Sequence, residues 1–389
     1  MEKIESWTAW ILLLLFILSV VITSIIPKNN TFFDGDFRYF PIPKDEDVGK
    51  RTVFLVRVEG KTTGMEEFDI PSTASYKGNA YRITYIFPKA FNSCSNLTGI
   101  TIPEGITRVE YGAFSYCSNL TNIRVAQGNK NYTSVDGVLF TIDMSSIVAY
   151  PAGKKEETYT IPNTVTNIGG GAFHSCFSLT NITIPNTVTN IGERAFARCK
   201  SLTRIVIPQG VTTIERETFL NCSSLTNIAI PDTVTDIDGG AFSGCNMLTE
   251  VVIPQGVTTI GWETFYGCCS LTNITIPDAV TYIDGGAFAG CKSLTKSVIP
   301  ESVTTIGREA FYGCSNLTDI TIPEGVNRIE ERAFRDCNSL KNVYFKGPPA
   351  DSFIRAFGRK TVLHYIEGTP GWTTPEWNGF TTRIWVPES

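Results

Sequence analysis

The chain has 389 residues, a formal net charge of −5 and an apolar content of 42%. This apolar fraction is sufficient for a buried core, so the composition excludes a chain that is disordered throughout. Because the net charge is mildly negative and no run of Lys and Arg occurs, the sequence argues against nucleic-acid binding. The whole chain contains two histidines, His174 and His364, and we expect no metal site, no cofactor and no catalysis.

The first predicted element is an apolar segment near the N-terminus. Trp7 to Ile26 is a stretch of twenty residues without a charge. At about 1.5 Å per residue, a helix of this length spans about 30 Å, which matches a bilayer core. Residues 1–26 are therefore predicted to be a transmembrane anchor, with a cleaved signal peptide as the alternative. Residues 27–50, rich in Pro, Asp and Asn, are predicted to be a linker.

A repeat with a period of 23 residues dominates residues 51–343, with the pattern L-T-x-I-x-I-P-x-x-V-T-x-I-x-x-x-A-F-x-x-C-x-x. In each of ten copies a phenylalanine is followed three residues later by a cysteine and six residues later by a leucine. The phenylalanine column consists of Phe91, Phe114, Phe173, Phe196, Phe219, Phe242, Phe265, Phe288, Phe311 and Phe334. The cysteine column consists of Cys94, Cys117, Cys176, Cys199, Cys222, Cys245, Cys268, Cys291, Cys314 and Cys337.

The chemistry of one repeat predicts one coil of a β-solenoid. L-x-x-I-x-I favours a short strand with its apolar side chains on one face, and the following proline ends that strand. V-T-x-I favours a second, shorter strand because its residues are β-branched. A-F-x-x-C is predicted to be a turn that directs Phe and Cys inward. One coil cannot cover its own apolar face, so about ten coils are expected to stack at about 4.8 Å per coil.

The cysteine column has three possible explanations. Disulfides between neighbouring coils are geometrically conceivable, and metal binding would need convergent ligands, although no C-x-x-C occurs. The interpretation that we favour is a small buried side chain that fills the same space in every coil, because an unbroken column is what a packing position predicts. Cys269 alone lies outside the column.

Two segments depart from the repeat. Residues from about 126 to 160 form an insert, with strands predicted near Val138–Phe140 and Ile147–Tyr150. Residues 344–389 change composition and hold half of the tryptophans: Trp372, Trp377 and Trp385. We predict that this tail caps the open end of the core, with an aromatic ligand platform as the alternative.

The repeat resembles the BspA-type (Treponema-type, LRR_5-like) leucine-rich repeat family. The matching pattern is I-P-x-x-V-T-x-I-x-x-x-A-F-x-x-C-x-x-L, as in Ile184 to Leu202. The resemblance implies a mainly β fold, a leucine-rich repeat arc of parallel strands that form a sheet on its concave side. It also implies a surface or secreted protein that binds other molecules and is not an enzyme.

The candidate ligand-facing positions lie between the inward residues of the long strand. They vary from coil to coil, whereas the core columns do not. These positions are Arg124, Asn181, Arg204, Asn227, Glu250, Asn273, Lys296, Asp319 and Asn342. The predicted function is adhesion to extracellular or host proteins or glycans by a membrane-anchored, exported chain, which would be secreted if the N-terminal segment is cleaved. The alternative is a structural spacer or envelope component without a specific ligand.

Overall fold

The computed structural model describes residues 32–34, 37–41, 52–58, 66–296, 299–350, 355–358 and 360–387. The predicted anchor, Trp7 to Ile26, lies outside these residues. Throughout the described ranges every regular element of more than one turn is a β-strand, and no helix there is long and apolar enough to cross a membrane. The chain divides into two compact units, Met1–Ile142 (unit 1) and Asp143–Ser389 (unit 2).

Unit 1 combines antiparallel strands with the first repeats. Its strands are β1 (Phe32–Asp34), β2 (Phe37–Pro41), β3 (Thr52–Val58), β4 (Glu67–Asp69), β5 (Thr73–Tyr76), β6 (Asn79–Ile86), β7 (Gly99–Ile102), β8 (Arg108–Val109), β9 (Asn122–Val125), β10 (Tyr132–Val135) and β11 (Val138–Thr141). The order β1-β2-β3-β6-β5 forms one sheet, and β4-β7-β9 forms a parallel sheet. β1 and β2 fall inside the segment 27–50, where a linker was expected, because their alternating aromatic residues pair as an antiparallel hairpin.

Unit 2 is a β-solenoid in which each regular coil contributes one long and one short strand. The long strands are β13 (Thr158–Thr160), β15 (Asn181–Thr183), β17 (Arg204–Val206), β19 (Asn227–Ala229), β21 (Glu250–Val252), β23 (Asn273–Thr275), β26 (Asp319–Ile322), β28 (Asn342–Phe345), β29 (Val362–Ile366) and β31 (Phe380–Trp385). The short-strand side contains β12 (Ser146–Ala149), β14 (Asn167–Ile168), β16 (Asn190–Ile191), β18 (Thr213–Ile214), β20 (Asp236–Ile237), β22 (Thr259–Ile260), β24 (Tyr282–Ile283), β25 (Thr305–Ile306) and β27 (Arg328–Ile329). One further short strand, β30 (Glu376–Trp377), pairs antiparallel with β31.

Neighbouring coils pair in parallel with a register of 23 residues, as the repeat predicts. Ile205 is opposite Ile228 in the long-strand ladder, and Ile214 is opposite Ile237 in the short-strand ladder. Within β19 the side chains are alternately exposed, buried and exposed, because successive residues of a strand point to opposite faces. The predicted parallel strands and solenoid are therefore confirmed.

The turn that carries Phe and Cys forms a third contact line between coils. From Phe173 to Phe357, successive rings stack with centroids 5.0–5.6 Å apart and planes within 23° of parallel. The backbone N–H of Phe219 also donates to the Ala241 carbonyl of the next coil at 2.8 Å. Residues two before and two after the phenylalanine adopt positive φ, as in Gly240 (68°) and Gly244 (74°), where glycine avoids strain. This turn is not helical.

The column cysteines are all buried and reduced, which confirms the packing interpretation. From Cys199 to Cys337 each S–H also donates to the carbonyl of the phenylalanine in the preceding coil, at 3.0–3.3 Å. Each thiol therefore fills space in the core and also links two coils by a hydrogen bond. The sequence pattern predicted the packing role but not the hydrogen bond. Burial raises the pKa of the Cys245 thiol to about 12, so this thiol stays protonated near neutral pH.

The two irregular segments add turns to the predicted ten, for a total of about 13. In the insert, strands lie at Val138–Thr141 and Ser146–Ala149, and Tyr150 stacks on Phe173 with centroids 5.2 Å apart. In the tail, Phe357 stacks on Phe334 at 5.0 Å. β29 and β31 extend the parallel sheet beyond β28, so the predicted cap also continues the solenoid.

Trp372 lies at the C-terminal end of the core. Its side chain is buried against Phe345 and Tyr365, with centroids 4.8 and 5.5 Å away. The indole N–H donates to the Gly347 carbonyl at 3.1 Å, which satisfies the one polar group that burial would otherwise leave unpaired. Trp372 therefore packs against two of the strands at the C-terminal end of the core, and the capping role of the tail stays a prediction.

The phenylalanine stack leads to a stability prediction. We expect Phe242→Ala to lower the free energy of unfolding by about 3–5 kcal/mol, because a fully buried ring is lost between two coils. Val252→Ala is the control: this side chain is 67% exposed, so its loss should change stability by about 0.5 kcal/mol or less. Denaturant unfolding followed by circular dichroism measures both, and equal effects would contradict the stacked core.

The buried thiols lead to a reactivity prediction. In the native chain at pH 8 we expect a thiol reagent to modify one cysteine, the partly exposed Cys269. The ten column thiols should react only after unfolding, because they are buried. Cys269→Ser should remove the native reaction. Rapid native modification of several thiols, identified by mass spectrometry, would be inconsistent with this packing.

Candidate functional site

The outward face of the long-strand sheet in unit 2 carries eight of the nine predicted positions in one line. We call these residues the outer row: Asn181, Arg204, Asn227, Glu250, Asn273, Lys296, Asp319 and Asn342. Register places Arg204 between Asn181 and Asn227, and pairs Glu250 with Asn273. Asp319 and Asn342 are half-buried and the other six are exposed. The row thus alternates asparagine with a charged residue along its middle part.

Arg124, the ninth predicted position, lies elsewhere. It belongs to unit 1, where it is opposite Thr101 in the register of β7 and β9, whereas Asn122 is opposite Gly99. Arg124 therefore occupies the second outward position of its strand, two residues after the position that corresponds to the outer row. Its guanidinium forms an ion pair with Glu67 and donates to Thr101 Oγ1 at 3.3 Å.

Three of the four charges of the outer row are unpaired within the described part of the chain. Among the described residues, no hydrogen bond or ion pair involves the side chains of Arg204, Glu250 or Lys296, and all three side chains are exposed. Residues two coils apart are separated by roughly 10 Å, close to the screening length at physiological salt. Each charge is therefore available to a ligand rather than neutralised by its neighbours.

On the turns of the same unit, two arginines form ion pairs with glutamates of a neighbouring coil. Arg194 Nε is 2.7 Å from Glu217 Oε2 in the next coil, and Arg332 Nη1 is 3.2 Å from Glu309 Oε1. Burial opposes ionisation of Glu217, but the Arg194 guanidinium outweighs it and lowers the pKa of this carboxyl. Arg194 and Arg332 on the turns thus join adjacent coils, whereas Arg204, Glu250 and Lys296 of the outer row have no partner among the described residues.

A second row lies beside the outer row, at the second outward position of each long strand. In the middle coils it presents small or apolar residues, including Val206 and Val252, which are 54% and 67% exposed. Exposed valines on a flat sheet provide apolar contact area next to the free charges. The threonines that flank the strand do not contribute to this surface, because they are used for stacking: Thr226 Oγ1 donates to the Thr203 carbonyl at 3.1 Å.

At the C-terminal end of unit 2 the second row carries aromatic side chains instead of small or apolar ones. Tyr344 and His364 are opposite each other in β28 and β29, and their rings stack with centroids 4.6 Å apart. His364 Nε2 is 3.0 Å from Asn342 Oδ1, and Asn342 Nδ2 donates to Asp319 Oδ1 at 2.8 Å. Partial burial and then the Arg383 guanidinium lower the pKa of His364, so its imidazole is neutral at pH 7.

Sequence reasoning did not identify these C-terminal residues. Phe357 follows Phe334 by one period, but Leu363 is opposite Val343, only twenty residues earlier. The tail coil is therefore three residues shorter between its turn and its strand. The A-F pair at Ala356–Phe357 was the available signal for this coil, although the period alone would have placed its strand three residues too late.

The stacked coils, their three inward columns and the sheet of parallel strands define a leucine-rich repeat solenoid. The model of the BspA type leucine-rich repeat region matches residues 62–145, 152–269 and 258–369. The chain belongs to this family.

Several solved structures are similar to this chain. A leucine-rich repeat protein from Eubacterium ventriosum is 24% identical, covers 72% of this chain and 93% of its own, and has a TM-score of 0.51. A leucine rich cell surface protein from Faecalibacterium prausnitzii is 27% identical over 83% and 96% of the two chains, with a TM-score of 0.48. A leucine-rich repeat protein from Bacteroides ovatus is 24% identical over 86% and 100%, with a TM-score of 0.40. No curated protein matches the chain.

Proposed function

We propose that this protein is an exported binding protein that holds extracellular or host proteins or glycans on the outer face of its long-strand sheet, without catalysis. The observation that carries the proposal is the outer row, in which Arg204, Glu250 and Lys296 are exposed and have no partner among the described residues, while Arg194 and Arg332 on the turns are paired with carboxylates of adjacent coils. Membership of the BspA-type family supports the same assignment.

The mechanism follows from the rigidity of the sheet. Seven of the eight outer-row residues lie on strands that are hydrogen-bonded to the strand of at least one neighbouring coil, so little ordering is needed when a ligand binds. Several weak polar contacts from successive coils then add to the apolar contact provided by Val206 and Val252. Alternating charge signs along the row favour ligands with a complementary alternation and disfavour others.

Export is part of this proposal. The apolar segment from Trp7 to Ile26 would hold the protein at the membrane, with the repeats outside, or would be removed to leave a secreted chain. Either route places the outer face where it can meet extracellular ligands.

The test is a charge exchange on the outer row. We expect the purified full-length chain to bind at least one member of a panel of matrix proteins and glycans in biolayer interferometry. The triple variant Arg204→Glu, Glu250→Lys, Lys296→Glu should lose that binding by at least about tenfold, because each unpaired charge is reversed.

The control variant has the same net change of charge on the turns: Lys200→Glu, Asp278→Lys, Lys292→Glu. These residues are exposed and lie outside the strands, so binding should persist. If no panel member binds, or if both triple variants bind as the parent does, the spacer interpretation replaces this proposal.

A further inference from the structure

The C-terminal end of the outward face carries an aromatic and basic cluster, which we call the C-terminal patch: Tyr344, His364, Arg383 and Trp385. Tyr344, His364 and Arg383 occupy successive positions of the second row in β28, β29 and β31. Trp385 lies two residues beyond Arg383 on the same face, and its ring is 5.1 Å from that of Tyr344. Three rings and one guanidinium thus share one end of the sheet.

The patch has unused hydrogen-bonding groups. The chain of bonds from His364 through Asn342 to Asp319 requires that Nε2 of His364 carry the proton, because the Asn342 oxygen can only accept. In a neutral imidazole Nδ1 is then an acceptor. Within the described part of the chain, no hydrogen bond or ion pair involves this nitrogen, the Tyr344 hydroxyl, the Trp385 indole N–H or the Arg383 guanidinium.

The other two tryptophans of the tail differ from Trp385, because their indole N–H groups are hydrogen-bonded. Trp372 donates to the Gly347 carbonyl at 3.1 Å, and Trp377 donates to the Gly371 carbonyl at 2.7 Å. Both residues also pack on each other with centroids 5.1 Å apart. Trp385 is the one of the three whose N–H is left without an acceptor, and it stands on the outward face rather than in the core. Packing of the cap therefore accounts for Trp372 and Trp377 but not for Trp385.

The chemistry of the patch selects a class of ligand. Aromatic rings beside a few oriented polar groups are typical of sites for small, mixed polar and apolar ligands. A pyranose ring has that character, because its C–H faces pack on aromatic rings while its hydroxyls both donate and accept hydrogen bonds. Arg383 adds a preference, since an unpaired guanidinium bonds a carboxylate through two parallel N–H groups. The carboxylate of Asp319 is already bonded by Asn342, so, among the described residues, the patch itself has one unpaired cation, Arg383, and contains no carboxylate.

We propose that the C-terminal patch binds a carboxylate-bearing sugar ring, such as a uronic acid at the exposed end of a glycan. The ring packs on Tyr344 and Trp385, the carboxylate pairs with Arg383, and the sugar hydroxyls bond Tyr344 and the Nδ1 atom of His364. This inference deepens the proposed function, on which it rests in taking the outward face as the binding surface, and it assigns one end of that face a ligand class.

The experiment compares an acidic sugar with its neutral counterpart. The probes are a trisaccharide of galacturonic acid and a trisaccharide of galactose, measured against the full-length chain by saturation-transfer NMR titration. The acidic probe should bind saturably and at least about tenfold more tightly than the neutral one, as expected for one charge-assisted pair. Equal affinities, or binding of neither probe, would overturn the proposal.

Variants locate the site. Arg383→Gln should abolish the preference for the acidic probe, and Trp385→Ala should weaken binding of both probes. Arg216→Gln, an exposed turn arginine beside Glu217, should leave both affinities unchanged. If Arg383→Gln folds, as judged by circular dichroism, and keeps the parent preference, the assignment fails.

The two proposals remain separable. The outer-row triple variant should still bind the acidic trisaccharide, because Arg204, Glu250 and Lys296 lie in other coils. Loss of panel binding in that variant with the sugar preference intact supports both proposals. Binding of peptides with a free C-terminal carboxylate, with no binding of either sugar, would overturn the ligand class proposed for the patch while leaving the outer-row proposal untouched.

Discussion

The structure depends on the contact between one phenylalanine turn and the next. At each turn the ring stacks on its counterpart, a backbone N–H bonds the following coil and a thiol bonds the preceding one. All three contacts join one turn to the turn of a neighbouring coil. They therefore form only if successive turns are separated by the same number of residues. In the regular coils the strands then follow in one register, because a shift of one residue would turn every apolar side chain outward.

Much of this was predictable from the sequence because the inward positions repeat. Phe242 and Cys245 face the same surroundings as their counterparts 23 residues away, so recurrence alone marks them as core. Where the surroundings change, the prediction weakened. Tyr150 keeps an aromatic ring in the column without the rest of the repeat, and Phe357 keeps the period while its strand moves by three residues. β1 and β2 pair within a segment whose Pro and Asp content suggested a linker, and β2 also pairs with β3 beyond that segment.

The candidate surface was less predictable than the core for a physical reason. The outer row could be identified by elimination, as the positions that the core does not use. Assigning each residue to one of the two outward rows needed the strand register. Without the register, Arg124 was grouped with residues that occupy the other outward position of their strands. Whether a charge is free also depends on neighbours in space. Arg194 and Arg204 look equivalent in sequence, yet Arg194 bonds Glu217 in the next coil, and Arg204 has no partner among the described residues. This division leaves the turns to hold the coils together and the outward face free for recognition.

The most direct test of the central claim compares the unfolding of two deletion variants, one that keeps the 23-residue period and one that breaks it. Deleting residues 202–247 removes two whole repeats and rejoins Ser201 to Leu248 in phase. The account predicts a chain that unfolds cooperatively, with unchanged circular dichroism per residue, because stability is a sum of contacts between neighbouring coils. Deleting residues 202–241 instead joins Ser201 to Phe242 out of phase and should abolish cooperative unfolding. Equal tolerance of both deletions would contradict the claim that one fixed coil length builds the core.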